Sequence, residues 1–327
     1  MGKYRFPRLL SLLSFSILSC FAWEGMEAAP ATISLGVVQR KLELPIVQIC
    51  TNDNLVLITD KTNSVNFFPG YRRAEVNKLA IWLNEPTLPD AVGTALVARI
   101  DLDRQLLPAL KPWPGISVSN RMVRVMLDPG HGGDDSGAIS TVNGLIEKDL
   151  VLDIAFRVGE KLEQAGCEVA YTRTNDTFIT LSGRSRLASK WKADLFVSLH
   201  ANTAGSTAAR GRETFSMPVT GSLSTSSDKR IATTYRAGNK HDVKNGLLAF
   251  AIHERTPGRI GRFDRGVRHA RFQVLRDAPC PAVLLESGFL SNPTDARNLA
   301  SNWYRERYAQ GVADGILAFI GYRPQPF

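Results

Sequence analysis

The sequence predicts an α/β domain over residues 118–327, with a largely parallel sheet flanked by helices, preceded by a small, mainly β module over residues 31–117. Three observations carry that expectation. From Arg121 onward, apolar β-runs alternate with stretches of helical periodicity, the pattern of strands joined by crossover helices. From about Ile33 to Leu110 the apolar residues fall instead in short alternating stretches divided by Asn, Asp, Pro and Gly clusters, the pattern of a small β structure. Between the two, Lys111-Pro112-Trp113-Pro114-Gly115 can continue neither a helix nor a central strand, so a linker falls there and a boundary near residue 118.

The chain of 327 residues is 44% hydrophobic and 22% charged, enough to bury one or two ordinary cores. It holds no apolar run of roughly 18 residues and no collagen-like or coiled-coil bias, which excludes a polytopic membrane protein and a fibre. The net charge of +9 favours an anionic partner or substrate.

Residues 1–29 read as a secretory signal: Lys3, Arg5 and Arg8 precede the short apolar stretch Leu9 to Leu18, and small residues follow at Ala28 and Ala29. Removing them takes away three basic and two acidic residues and leaves a mature charge of +8. Ile17-Leu18-Ser19-Cys20 also resembles a bacterial lipobox, so two outcomes stay open. Either the signal is cut near Ala28 and the protein is soluble in the periplasm, or Cys20 carries a lipid anchor beside the cell envelope.

In the first module, Leu55 to Thr59, Val65 to Phe68, Leu79 to Leu83 and Ala95 to Ile100 read as strands; no metal or nucleotide motif accompanies them. In the second, Val123 to Leu127 is a buried-type strand. A helix begins near Glu147, because Leu150, Ile154, Val158 and Leu162 form a stripe at spacing four, and Gly166 stops it. Glu168 to Thr172, Leu195 to Leu199 and Ala282 to Leu285 read as further strands, with a helix between Leu181 and Trp191. A closing helix shows Tyr308, Val312, Ile316 and Ile320 on one face.

Chemistry gathers where these strands end. Val123 to Leu127 runs into the glycine-rich stretch Asp128 to Ala138, which contains His131, and Leu195 to Leu199 runs into His200-Ala201-Asn202. Ligands of open α/β sheets bind beyond the carboxyl ends of strands. A third strand delivers Glu286 to that edge, and Glu147 lies at the start of the first helix. Two neutral imidazoles and one carboxylate make a catalytic zinc ligand set with an open fourth position, and the remaining carboxylate can serve as the base. Singly, each has an ordinary explanation: a loop or core histidine, a first-turn acid favoured by the helix dipole, a strand-end charge. Glu286 follows three apolar residues, where an acid is disfavoured unless paired or functional.

Val125 to Ala138 with Glu147, Val197 to Asn202, and Pro281 to Asn292 closely resemble the three blocks of the zinc-dependent N-acetylmuramoyl-L-alanine amidases of the Amidase_3 type, and the Gly211-Arg212-Glu213-Thr214 strand between them fits as well. The resemblance covers residues 122 to about 321. It implies that His131, Glu147 and His200 hold one Zn2+ and that Glu286 is the catalytic glutamate. The substrate it implies is peptidoglycan, cut between N-acetylmuramic acid and the L-alanine of the stem peptide, with a protein activator as a further partner to look for. The connection from Met217 to Gly261 is longer and richer in Ser and Arg than in a minimal member. A zinc peptidase acting within the stem and a non-catalytic wall-binding protein are the rival readings.

Arg255, Arg259, Arg262, Arg265, Arg268, Arg271 and Arg276 crowd one segment. They read either as a solvated face or, through Arg262, Arg265 and Arg268 together with Asn202, as a clamp for stem carboxylates. Nucleic acid is not an expected partner, since the chain shows neither an aromatic platform nor a helix-turn-helix pattern. His241, His253 and His269 read as surface or core histidines; Pro257 occupies the place where an H-E-x-x-H motif beginning at His253 needs its second histidine. Cys167 and Cys280 read as buried small hydrophobes.

Overall fold

Val125, Leu127, Leu195, Val197, Val283 and Leu285 are buried almost completely, as continuous apolar runs are when both faces of a sheet are covered. The computed structural model describes residues 32–43, 46–50, 55–59, 63–89, 95–110, 113–116, 121–225, 233–256 and 263–321. The expected signal with Cys20 and Ala28 lies outside them, as does Arg262. The strands are β1 Thr32–Ser34, β2 Ile46–Cys50, β3 Leu55–Thr59, β4 Ser64–Phe67, β5 Arg73–Val76, β6 Leu79–Trp82, β7 Leu88–Pro89, β8 Ala95–Ala98, β9 Arg124–Pro129, β10 Glu168–Tyr171, β11 Leu195–Asn202, β12 Arg212–Ser216, β13 Asp264–His269 and β14 Ala282–Phe289.

Eleven of them form one sheet in the order β10-β9-β11-β14-β12-β13-β6-β5-β4-β3-β2. The expected parallel portion is β10, β9, β11 and β14. Strand β12 runs antiparallel to β14, β13 is parallel to β12, and β6 through β2 form an antiparallel meander. The sheet as a whole is therefore mixed, both because β12 reverses direction beside β14 and because the antiparallel amino-terminal meander joins the α/β portion edge to edge.

That junction is β6 beside β13, with Ile81 opposite Val267. Gly266 makes it feasible: its φ is +88°, and a Cβ there would meet the Ala80 carbonyl oxygen at 2.6 Å. Residues 31–327 accordingly form one compact unit, across the boundary expected near residue 118. Trp113 of the Pro-rich connector is docked too: it stacks on Phe319 with 5.5 Å between ring centroids and donates its Nε1 hydrogen to the Phe319 carbonyl at 2.6 Å.

The helices Glu147–Gln164, Asp242–Arg255 and Asn302–Ile320 cover one face of the sheet, placing Leu150, Ile154, Leu248, Ile252, Val312 and Ile316 in its larger core. Leu181–Trp191 and Gln273–Arg276 cover the other, against Met126, Phe196, Phe215 and Leu284. Thr180 starts the 181–191 helix at the expected residue by accepting from the Gly183 amide. The strand expected to run to Ile100 stops at Ala98, and the chain continues helically through Arg99–Asp101, Leu102–Leu106 and Leu107–Leu110. Leu102 and Leu106, both fully buried, mark the change from period two to helical spacing. Cys167 and Cys280 are buried free thiols, as expected.

Candidate metal centre

Strand β9 ends at Pro129, and the glycine-rich loop that follows turns His131 inward with a left-handed φ of 60°. Two glycines let backbone lie directly on the site. A Cβ at Gly130 would come within 2.2 Å of the His200 ring, and one at Gly137 within 2.6 Å of Glu147 Oε2.

Two buried arginines splint this loop through its carbonyls. Arg173 donates to the Pro129 and Gly130 oxygens at 3.0 and 2.7 Å. Arg184 donates to the Pro129 and His131 oxygens, each at 2.8 Å. Arg184 also holds Asp128 Oδ1 at 2.7 Å, while Thr172 and Ser198 donate hydroxyls to the same carboxylate at 2.6 and 2.7 Å. Asp128 is fully buried, and these three donors satisfy a carboxylate that burial without partners would penalise.

Glu147 opens the Glu147–Gln164 helix and is 4% exposed. Its Oε1 lies 3.0 Å from both His131 Nε2 and His200 Nδ1 and accepts from the Ala201 amide at 3.0 Å; its Oε2 accepts from the Ala138 amide at 2.8 Å. His131 Nδ1 lies 2.9 Å from Asp135 Oδ2. Burial alone would raise the Glu147 carboxyl, but His131 and His200 outweigh it and hold the group far below the usual carboxylate range. Burial likewise opposes ionisation of His131, and Glu147 and Asp135 overcome it, so the imidazole is raised. One donor atom each from His131, Glu147 and His200 fall within 4.8 Å of one another. Two imidazole nitrogens and an ionised carboxylate at that spacing can hold a metal ion, and their chemistry suits zinc.

Glu286 stands beside His200 in the parallel pairing of β11 with β14. Its Oε2 is buried and has no hydrogen-bond partner among the described residues. Burial, followed by the nearby Glu147 and Glu213, raises its pKa well above the ordinary value. His131, His200 and Glu286 share one cleft of about 440 Å³ whose remaining wall includes Phe178, Ile179, Leu181 and Phe272.

The four residues expected to converge thus lie together. Asn202 points elsewhere, donating to Glu213 Oε2 at 2.9 Å. Arg265 and Arg268, expected as a clamp for a substrate carboxylate, both bind Glu213, so the carboxylate they hold here is the chain's own. Of the remaining histidines, His253 and His269 are buried and His241 is partly buried, all apart from the cluster. Sequence reasoning did not single out Asp128, Arg173, Arg184 or Glu213. Asp128 carried a usable signal, because it follows the apolar run Val125-Met126-Leu127 just as Glu286 follows its own.

Residues 125–318 match the family model described as N-acetylmuramoyl-L-alanine amidase, Amidase_3, and the chain belongs to that family. It is 38% identical over 195 residues to the N-acetylmuramoyl-L-alanine amidase LytC of Bacillus subtilis, covering 60% of this chain and 35% of LytC. To the amidase AmiC of Neisseria meningitidis serogroup B it is 35% identical over 235 residues, 64% of this chain and 55% of that protein. Among solved structures, the catalytic domain of the amidase CwlV from Bacillus (Paenibacillus) polymyxa var. colistinus superposes with a TM-score of 0.52 at 34% identity, covering 62% of this chain and 100% of that one. The chain therefore spans between about a third and somewhat over half of these two curated relatives, while the CwlV domain falls wholly within it.

Proposed function

We propose that this protein is a zinc-dependent peptidoglycan hydrolase that cleaves the amide between the lactyl group of N-acetylmuramic acid and the L-alanine of the stem peptide, in cell-wall remodelling. The observation that carries the reading is the convergence of His131, Glu147 and His200 beside the buried, unpartnered Glu286 oxygen in one cleft. Family membership supplies the substrate class.

His131, Glu147 and His200 would hold the zinc, which when bound supplies a Lewis acid for the scissile carbonyl and acidifies a water. The chain's own residues do the rest. Arg173 and Arg184 fix the His131 loop before substrate arrives. Glu286, made more basic by burial and by two neighbouring carboxylates, accepts the proton of the attacking water and returns it to the departing alanine nitrogen.

Export to the periplasm or envelope, with or without a lipid on Cys20, belongs to the same reading and rests on residues 1–29 of the sequence. The test is a digest of purified peptidoglycan with protein and zinc, followed by mass spectrometry of the products. Free stem peptides beginning with L-alanine and intact glycan support the amidase. Shortened stems would make it a peptidase, and binding without products a wall-binding protein.

A further inference from the structure

The amino-terminal meander reaches the reacting centre through a short series of contacts. Trp82, the last residue of β6, donates its Nε1 hydrogen to the Arg265 carbonyl at 2.9 Å, and its ring lies under the Arg268 guanidinium at 4.9 Å. The Trp82 carbonyl and the Gln105 side-chain oxygen lie 3.0 and 3.2 Å from His269 Nε2, while His269 Nδ1 lies 3.0 Å from Ser216 Oγ. Two carbonyl acceptors around Nε2 place the imidazole hydrogen there, so His269 ties β13 to both β6 and β12.

Strand β13 then delivers Arg265 and Arg268 to Glu213, and Arg265 Nε reaches Glu213 Oε1 at 2.8 Å. Asn202 takes the other oxygen. Glu213 is 2% exposed and directly opposite Glu286 in the antiparallel pairing of β12 with β14. Directly opposed residues of such a pair share a face, with their side chains about 5 Å apart at the Cβ atoms. Two carboxylates in that relation repel, and the arginines pair with Glu213 and offset part of its charge, while Glu286 Oε2 has no hydrogen-bond partner among the described residues.

We propose that Glu213 is a positioning residue for Glu286 and that the amino-terminal meander, through Trp82, is a working part of the reacting centre because it fixes the two arginines that hold Glu213. The inference rests on the amidase reading.

The test compares four full-length, zinc-loaded variants with the wild type for kcat, KM, zinc content and melting midpoint. Trp82→Ala removes both the ring and the donor and is expected to lower kcat by about tenfold, with KM within about twofold and zinc content unchanged. Trp82→Phe keeps a ring under Arg268 and recovers part of that loss. Arg268→Lys keeps a charge near Glu213 but loses the fork that also reaches the Thr225 carbonyl, so kcat falls again. Val76→Ala cuts the buried core of the same meander at the far end of the β5–β6 hairpin; it lowers the melting midpoint and leaves kcat alone. Unchanged kcat in Trp82→Ala overturns the inference, as does a matching loss in Val76→Ala, which would make it a matter of general stability. If Trp82→Ala does not fold, Trp82→Phe and Arg268→Lys decide by the same measures. A wild type that binds zinc but releases no stem peptide overturns the amidase reading and this inference with it, whereas an active wild type with unaffected variants overturns this inference alone.

Discussion

Glu286 and Glu147 are both buried carboxylates at the same sheet edge, yet their surroundings drive them in opposite directions. Glu147 faces two imidazoles and two backbone amides and stays ionised, as the proposed metal ligand needs to be. Glu286 faces carboxylates and apolar wall and is raised, as the proposed base for work near neutral pH needs to be. The difference predicts distinct mutant behaviour. Glu286→Gln is expected to keep zinc while losing turnover by at least about a hundredfold, the usual scale of general-base catalysis. His131→Ala or His200→Ala should instead lose most of the metal. Metal analysis beside a stem-release assay separates the two roles, and zinc loss in Glu286→Gln would make that residue a ligand. Arg184 offers a stability test at the same scale: it is 2% exposed and pairs with the fully buried Asp128. Arg184→Leu leaves that carboxylate short of its cationic partner, at an expected cost of about 3–5 kcal/mol in denaturant unfolding, where an effect below about 1 kcal/mol would show that Thr172 and Ser198 suffice.

At the level of strands and helices, what could be read from sequence was where the chain leaves the sheet. Glu286 directly follows three apolar residues, His200 ends a mostly apolar strand, His131 lies in the glycine-rich loop just past another, and Glu147 precedes a clean helical stripe, so strand and helix patterns together with the rule that ligands bind at strand ends put all four at one edge. The Glu213 hub was not legible in that way. Arg265 and Arg268 lie 52 and 55 residues beyond it, and nothing local distinguishes an arginine bound to an internal carboxylate from one in solvent. The edge-to-edge joint of β6 and β13 was hidden for the same reason, since it depends on one glycine accepting a close carbonyl. Gly266→Ala tests that joint. The new Cβ meets the Ala80 oxygen at 2.6 Å on a backbone at φ +88°, so two penalties add. Strain at such a position alone costs on the order of 1–3 kcal/mol, so the melting midpoint should fall by several degrees. An unchanged midpoint would mean that β6 can draw back from β13 at no cost.

The molecule as a whole combines its two sequence regions through polar groups whose titrations oppose one another. Asp101, in the amino-terminal region, is fully buried and accepts from the Asn84 and Glu85 amides and from the Asn84 and Gln105 side chains; burial, against those bonds, pushes its pKa up to about 6. His269, in the catalytic region, is lowered to about 4 by burial first and then by Arg72 and Arg268. Gln105 touches both, through its amide nitrogen and its oxygen. For His269 the unfolded chain takes up a proton near pH 6.5 that the folded chain refuses until about 4, so its contribution to stability is lost as pH falls through that window. For Asp101 the folded chain takes up its proton near 6 and the unfolded chain only near 3.8, so its contribution grows as pH falls through nearly the same window. Each term is on the order of 3 kcal/mol, and together they largely cancel. Removing one should expose the other. Relative to wild type, Asp101→Asn should lose stability more steeply as pH falls from 6.5 to 4, and His269→Gln should lose it less steeply or gain it. Denaturant unfolding at several pH values measures both slopes, and the sign of the difference matters more than the absolute loss that either substitution causes. Parallel curves for the two variants would show that the joint between the regions does not hold these groups in the charge states their burial implies.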